Sequence, residues 1–370
     1  MRFLIVHWGC GLALALALAA ACSPPASAQA DDPLAFDPDA DSGPALSWFS
    51  DLLLRGDYAR DLPMNLPDEQ RALARLRAGL RWLPDDAWEF GAAIEASRGS
   101  DSAQVVRLAH DNQRINDLGV DLLYARWRGG EHTELILGKH PLPLELTPMV
   151  WDDELRPVGV SIEHAIPTGD FDRIVLTGGA WLGDHLYGDT SRIVAAQAGW
   201  RLREGASTSG GILLSLIDFD DLERITRTRL SRTNRRVGDT LISDYRLVDL
   251  QLAFDTQLAG KPLRSRINLV RNVGADDQRD AARGSVVWGD ARVAQTWELG
   301  LAYQRVQRDA VMAAFNSEDW WFHSAMRGAM PWVGYGFDDT WRVQLALFLE
   351  RADGRSVDTE RALLDVRARW

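Results

Sequence analysis

The residues best suited to chemistry are charged side chains spaced two apart. Arg75, Arg77 and Arg81 alternate with apolar residues, and Arg55 lies in an earlier segment of similar pattern. Residues two apart share one face of a β-strand. Acids occupy comparable positions in later segments: Glu89, Glu95, Asp249 and Asp255. Positive and negative walls facing each other across water would orient polar solutes and reject apolar ones. Pairing between neighbouring strands, which would tie a wall together, fits the same residues, and both interpretations stay open.

Enzymatic chemistry finds little support. The chain has no Gly-x-Ser-x-Gly sequence, no phosphate-binding glycine loop and no His-Glu-x-x-His motif. Ser161 and His164 are near each other, but three residues apart on a strand they point to opposite faces. Both cysteines, Cys10 and Cys22, lie close to the N-terminus. We therefore expect no enzymatic activity, no cofactor and no metal site.

The N-terminal segment carries an export signal. Arg2 precedes an apolar run, and Ala28-Gln29-Ala30 fits a small-x-small cleavage site. Residues 1–30 are therefore predicted to be a signal peptide, and the acidic, proline-containing residues 31–46 a flexible periplasmic leader. Lipid attachment at Cys22 is an alternative for the same segment.

Residues 47–370 show the alternation typical of strands. In the last hairpin Trp341, Val343 and Leu345 alternate with Arg342 and Gln344, which predicts one apolar and one polar face. A soluble sandwich would turn the apolar face inward, whereas an outer-membrane barrel turns it to lipid and lines a lumen with the polar face. For residues 68–81 a helix is also conceivable, because Ala, Leu and Arg are good helix formers. Arginines two apart favour the strand.

Connections of alternating length favour the barrel. Turns after even-numbered strands are short, and connections after odd-numbered strands are mostly longer. We therefore predict an all-β fold, a transmembrane antiparallel up-and-down β-barrel of about 16 strands with short periplasmic turns and long extracellular loops. Aromatic residues at the short-turn ends are predicted to form the periplasmic girdle: Trp82, Trp88, Trp200, Trp297, Phe337, Trp341 and Trp370.

Short sequence runs resemble the porin family of Gram-negative outer-membrane β-barrels. They comprise residues 297–303, 309–311 and 315–319, the pair Gly138-Lys139, and residues 151–159. This resemblance implies a monomeric or trimeric pore of undefined substrate, and alginate-export and phosphate-selective barrels are neighbouring alternatives. The terminal aromatic strand resembles the signal that barrel-assembly machinery reads in outer-membrane proteins.

The connection over residues 141–156 is proline-rich and apolar for an exposed loop. Apolar loops need cover, which a barrel interior can provide. In general porins the third loop folds inward and narrows the pore. By that resemblance Trp151, Asp152, Asp153 and Glu154 would form a constriction opposite the arginine row. Packing over the rim or against a neighbouring subunit is the alternative.

The formal net charge of −12 argues against nucleic acid as a partner. Expected partners are outer-membrane lipid and lipopolysaccharide, small polar solutes and the barrel-assembly machinery, with the protein located in the outer membrane of a Gram-negative bacterium. The predicted function is a passive diffusion channel for small polar or ionic solutes, with a slight preference for cations. The alternative is a non-conducting barrel with a structural or binding role and a lumen plugged by loops.

Overall fold

The computed structural model of the chain describes residues 45–63, 66–100, 118–183, 191–228 and 233–370. The predicted signal peptide lies outside the described residues, and so does most of the predicted leader. The first strand begins at Ala45, so Ala45 and Leu46 belong to the barrel. That start lies two residues before the boundary expected from the sequence.

Sixteen antiparallel strands close into one barrel. Each strand pairs with its neighbours in sequence order, and the first strand pairs with the last. The barrel strands are β1 (Ala45–Arg60), β2 (Glu69–Leu83), β3 (Trp88–Gly99), β4 (Leu118–Arg128), β5 (Thr133–Lys139), β6 (Val158–Pro167), β7 (Arg173–Leu182), β8 (Arg192–Leu202), β9 (Ser209–Asp220), β12 (Tyr245–Leu258), β13 (Lys261–Asn272), β14 (Asp280–Gly289), β15 (Trp297–Val306), β16 (Met326–Gly336), β17 (Trp341–Ala352) and β18 (Thr359–Arg369). The predicted all-β barrel is confirmed, including its strand number.

One connection carries secondary structure of its own. Between β9 and β12 lie a short helix, α1 (Glu223–Thr228), and a small hairpin of β10 (Arg236–Val237) and β11 (Thr240–Leu241). No helix in the described part of the chain is long and apolar enough to cross a membrane.

Strand faces follow the alternation in the sequence. Along β8, exposed and buried residues alternate, with Val194 and Trp200 on the outer wall and Ile193 and Gln197 inside. The segment for which a helix was conceivable is the strand β2, which turns Arg75 inward. The outer wall is therefore mostly apolar, and the inner wall carries most of the charge.

Local hydrogen bonds explain the short turns. In the turn between β2 and β3, the carboxylate of Asp85 accepts the N–H groups of Ala87 and Trp88 at 2.9 and 2.8 Å. Asp338 does the same before Trp341 in the turn between β16 and β17. An Asp that accepts from backbone N–H groups two and three residues onward favours a tight turn. Each of these turns delivers a Trp to the start of the next strand.

A large apolar core fills one end of the lumen. It lies towards the rim formed by the longer connections, which we call the long-loop rim; the opposite end is the short-turn rim. Its members include Phe219, Tyr245 and Phe348 from the inner wall, together with Val311 and Phe315 from a connection that enters the barrel. Apolar residues on an inner wall need such cover, so their presence indicates that loops occupy this part of the lumen.

Candidate functional site

The connection between β5 and β6, residues 140–157, lies inside the lumen and is named here the first inward loop. The carbonyl of Glu145 accepts from the amides of Gln197 and Gln251 at 3.0 and 2.7 Å, and its N–H donates to Gln197 at 3.0 Å. The hydroxyl of Thr147 donates to Asn268 at 2.5 Å. These contacts fix the loop against β8, β12 and β13.

The four residues predicted to form a constriction occupy different surroundings in this loop. Trp151 is buried, and Asp152 is 3% exposed and accepts the N–H of Glu154 at 2.9 Å. Asp153 is exposed. Glu154 crosses to the opposite wall and meets Arg75 at 2.6 Å. Of these three acids in the described structure, only Glu154 forms an ion pair with the predicted arginine row.

A second connection, residues 307–325 between β15 and β16, also folds into the lumen, and we call it the second inward loop. From the sequence, this segment was notable only for its resemblance to porins, and its position inside the lumen was not predicted. Ala310, Val311, Ala314 and Phe315 are 0% exposed. The first inward loop was predicted to lie inside the barrel because its residues are apolar. The same property would have predicted the position of the second inward loop.

Aromatic stacking joins the two inward loops. The ring of Phe315 stacks on Trp151 at a centroid distance of 5.5 Å and on Phe219 of β9 at 5.0 Å. The N–H of Asp152 donates to the carbonyl of Phe315 at 2.7 Å. The loops therefore form one packed body that reaches from β9 to the middle of the lumen.

Buried polar groups hold the second inward loop to the wall. The carboxylate of Glu350 on β17 accepts the N–H groups of Trp321 and Phe322 at 2.9 and 3.0 Å. Asp309 accepts from the Arg235 side chain at 2.5 Å and from Tyr245 at 3.2 Å. A buried carboxylate that satisfies backbone donors fixes a loop that has no strand partner.

Arginines on β1 and β18 also meet the inward loops. We call the contact between these loops and the inner wall of β18, β1 and β2 the seam. Arg55 makes a bidentate pair with Asp365 at 2.7 and 2.8 Å and also meets Asp319 of the second inward loop at 2.7 Å. Arg361 holds Asp57 at 2.8 Å and donates to the carbonyls of residues 318 and 319. Arg55, Arg75 and Arg361 thus bind both inward loops to the wall formed by β18, β1 and β2.

Water reaches part of this seam. The side chain of Asp319 is 37% exposed and that of Glu154 is 18% exposed, whereas Arg55 and Arg75 are almost covered. Asp319 was noted only within the run that resembles porins, and neither Asp365 nor Arg361 was predicted to lie in a site. For the last two, their position on the polar face of β18 was the available signal.

Other members of the predicted charged rows pair between neighbouring strands. Arg77 meets Asp51 of β1 at 2.7 Å, and Arg81 lies 3.6 Å from Glu89 of β3. Glu95 lies 3.8 Å from Arg75. These contacts match the wall-tying interpretation of the early strands.

The two acids on β12 have local partners. Asp255 pairs with Arg266 of β13 at 2.5 and 2.9 Å. Asp249 is 0% exposed and accepts from the amides of Gln251 and Asn268, beneath the first inward loop. The acids that meet the arginines of β1 and β2 across the lumen come from the inward loops instead.

Two acids of the first inward loop have opposite pKa shifts. Burial and the neighbouring carboxylates of Glu154 and Asp153 raise the pKa of Asp152 well above its ordinary value. Burial would raise the pKa of Glu154 as well, but the guanidinium groups of Arg75 and Arg55 outweigh it and lower that pKa to about 2. Glu154 is therefore a permanent anion at neutral pH.

The predicted girdle residues lie near the short-turn rim. Five are exposed on the outer wall, and Trp341 contacts Trp370 edge to face at 5.8 Å. Further exposed aromatic residues that were not predicted lie at this end, among them Trp48 and Trp127. Trp127 is the strand partner of Trp88.

Within the described ranges, no group of three or more His, Cys, Asp or Glu side chains is placed to hold a metal ion.

Comparison with solved structures gives several barrels of the same fold. OprB of Pseudomonas putida is 13% identical with a TM-score of 0.57, covering 88% of this chain and 94% of OprB. OmpF of Salmonella typhi, in complex with daunomycin, is 10% identical with a TM-score of 0.55, covering 88% of this chain and 97% of OmpF. A triple mutant of the Rhodopseudomonas blastica porin is 10% identical with a TM-score of 0.52, covering 88% of this chain and all of the other.

No family model matches the sequence, and no curated protein matches it. The solved structures show that the chain has the fold of outer-membrane porins. At identities of 10–13% the likeness concerns the fold alone.

Proposed function

We propose that this protein is an outer-membrane channel through which small polar or ionic solutes diffuse passively. The observation that carries the proposal is the seam where both inward loops meet the arginine wall. There Glu154 and Asp319 reach water beside Arg55 and Arg75. Sixteen strands enclose a lumen wide enough for water unless it is filled. The inward loops reduce that width to a narrow charged passage.

Charge at the seam sets the selectivity. Oxygen atoms of Glu154 and Asp319 lie 2.6 and 2.7 Å from arginine nitrogens, so ions of either sign meet a nearly balanced site. Removing both carboxylates makes the seam more positive, although Asp365 still pairs with Arg55 and Glu95 lies 3.8 Å from Arg75. Such a variant would favour anions, because fixed charge raises the local concentration of the opposite ion.

Planar bilayer recording of the purified protein tests the proposal. We expect stepwise conductance, smaller than that of an unobstructed barrel of sixteen strands.

Replacing residues 145–151 by a short Gly-Ser linker should raise the conductance, because it removes the part of the first inward loop that crosses the lumen. The variant Glu154→Gln/Asp319→Asn should shift the reversal potential in a salt gradient towards anions.

Glu204→Gln is the matched control, because Glu204 pairs with Arg173 at the surface near the short-turn rim. It should leave conductance and reversal potential unchanged. A reversal potential that is the same for Glu154→Gln/Asp319→Asn and for the wild type would refute the role of the seam.

The packed aromatic body in the lumen favours a second candidate, a non-conducting barrel with a structural or binding role. Phe315 is fully buried between Trp151 and Phe219, as in a permanent plug. Bilayers that stay silent with the wild type and conduct only after the inward loops are removed would support this candidate and refute the first.

We also propose export through a cleaved signal peptide, insertion by barrel-assembly machinery and contact of the outer wall with lipid. The apolar outer wall and the aromatic residues near the short-turn rim support this location. Membrane fractionation with N-terminal sequencing of the mature chain tests it. Recovery in the soluble periplasmic fraction would contradict it.

A further inference from the structure

Three arginines stand side by side on the outer wall near the long-loop rim. Arg305 of β15 is the direct strand partner of Arg327 of β16, and Arg327 is also the direct partner of Arg351 of β17. Two residues further along each strand, towards the short-turn rim and on the same outer face, are Tyr303, Ala329 and Leu349. The row therefore lies at the edge of the apolar band that is nearer the long-loop rim.

Charge in this row is not balanced within the described residues. Arg351 holds Asp358 at 2.5 and 2.9 Å. Arg305 and Arg327 are exposed, and among the described residues neither lies within 4.0 Å of a carboxylate. Asp358 is also within electrostatic reach of Arg327, but its oxygens face Arg351. Like charges directly opposite on paired strands are unfavourable, so an anion from outside would stabilise the arrangement.

An apolar groove leads down the outer wall from this position. It has a volume of about 540 Å³ and runs over β12 to β15, with Leu250, Leu269 and Ala282 in its lining. Its polar lining, at the end nearer the long-loop rim, consists of Arg271, Asp280, Arg305 and Gln307. Arg271 is occupied by Asp280 at 2.7 Å, which leaves Arg305 as the cation available to a ligand in the groove.

We infer that this part of the outer wall binds a phosphorylated glycolipid of the outer leaflet, with its phosphate on Arg305 and Arg327 and one acyl chain in the groove. Guanidinium groups bind phosphate through two parallel hydrogen bonds. Two exposed arginines next to an apolar groove fit an amphiphile that has an anionic group at one end and an acyl chain attached to it. The inference rests on the proposed location in the outer membrane.

A second copy of this chain is the competing occupant. In a two-fold contact an identical copy would bring the same arginine row against this one, so it would offer no complementary charge. Charge therefore favours a lipid phosphate over two-fold self-association at this site.

Binding of lipid A to the detergent-solubilised full-length protein tests the inference. We expect wild-type protein to retain diphosphorylated lipid A in native mass spectrometry and to bind dephosphorylated lipid A more weakly. Arg305→Ala/Arg327→Ala should weaken binding of the diphosphorylated form about tenfold, because two charge-assisted contacts are lost. Ala282→Phe, which fills the groove, should weaken lipid A binding without changing the arginines.

Arg192→Ala is the matched control, because Arg192 is an exposed arginine of β8 that pairs with Asp221. It should bind lipid A like the wild type. Conductance measured on the same preparations separates the two proposals, since the arginine row lies outside the lumen and the double variant should conduct normally.

Equal affinity of the wild type and the double variant would overturn the inference, and so would equal binding of both lipid A forms. Inorganic phosphate that competes as strongly as lipid A, with no effect of Ala282→Phe, would overturn the role of the groove. Dimers that disappear on Arg305→Ala/Arg327→Ala would assign the surface to a second copy instead.

Discussion

Asp152 and Glu154 stand two residues apart on the first inward loop, yet their surroundings give them opposite energetic roles. Glu154 meets Arg75 at 2.6 Å, whereas Asp152 accepts the backbone N–H groups of Glu154 and Glu318 and forms no ion pair within the described part of the chain. Breaking a buried ion pair leaves an uncompensated charge and costs several kcal/mol. Neutralising a buried carboxylate that has no cation partner removes an unfavourable charge.

Glu154→Gln should therefore destabilise the barrel by about 2–4 kcal/mol, because Arg75 loses its nearest anion. Asp152→Asn should stay within about 1 kcal/mol of the wild type or exceed it, since the amide oxygen can still accept the N–H of Glu154. Urea unfolding followed by tryptophan fluorescence in detergent or vesicles measures both. Equal losses for the two variants would contradict the assignment.

Ionisation of Glu154 and ionisation of Asp152 should change the free energy of unfolding in opposite directions. The folded pKa of Glu154, about 2, lies below its ordinary value of 4.5. Its stabilising contribution is thus complete above pH 4.5 and is lost as pH falls towards 2. The raised pKa of Asp152 means that its ionisation opposes folding as pH rises above its ordinary value of 3.8.

Unfolding curves between pH 3 and pH 8 check this directly. The deficit of Glu154→Gln should be full at neutral pH and narrow under acid conditions. Any advantage of Asp152→Asn should be largest at neutral pH and vanish in acid. A deficit of Glu154→Gln that grows on acidification would be incompatible with the ion pair.

At the residue scale, the sequence located the arginines and their partners on the neighbouring strand, but not their partners in the loops. The spacing of Arg75, Arg77 and Arg81 placed them on the inner face, because strand geometry has a period of two. The loop partners depend on where the loops run in space. Asp319 lies on a loop with no periodicity, so its contact with Arg55 could not be deduced from spacing.

At the scale of elements, aromatic side chains lie flat on the inner wall where the facing strand has glycine. The indole of Trp332 on β16 covers Gly300 of β15 and donates to Glu298 at 2.8 Å. Tyr124 covers Gly91 in the same way. Glycine on one strand thus allows a large ring on the next to stay against the wall instead of projecting into the lumen.

Gly300→Ala should displace the Trp332 ring, because the added Cβ would lie 2.0 Å from its Cε2 and Cζ2 atoms. We expect a loss of about 1–3 kcal/mol and a change in tryptophan emission, both measured during urea unfolding. The control is Gly284→Ala on the adjacent strand β14, where the added Cβ meets nothing within 4 Å. If both variants unfold like the wild type, the ring does not depend on Gly300.

Strands were more predictable than the elements between them. Alternation in β17 and β18 identified both faces, since an outer-membrane strand has lipid on one side and the lumen on the other. The short helix α1 and the β10–β11 hairpin were not predicted from the sequence. They are too short to show a period, and their positions depend on contacts such as that of Arg235 with Asp309.

At the scale of the whole molecule, the wall and the lumen contents are held by different interactions. The wall is a continuous ladder of backbone hydrogen bonds that closes where Ser50 and Trp370 exchange two bonds of 2.9 Å. The inward loops depend on side chains, chiefly the Phe315 stack and the carboxylate of Glu350. Loosening the loops should therefore leave the barrel intact.

Glu350→Ala provides the test, because it removes the acceptor of two buried N–H groups, those of Trp321 and Phe322. Each unpaired buried donor costs about 1–3 kcal/mol, and this cost falls on the second inward loop. We expect faster proteolysis within residues 307–325 and larger, noisier conductance, while the barrel unfolds in sodium dodecyl sulfate at the same temperature as the wild type. Glu360→Ala on β18 is the control, since Glu360 pairs with Arg60 on the outer wall. A lower unfolding temperature of the Glu350→Ala barrel in this detergent would show that the lumen contents and the wall fold as one unit.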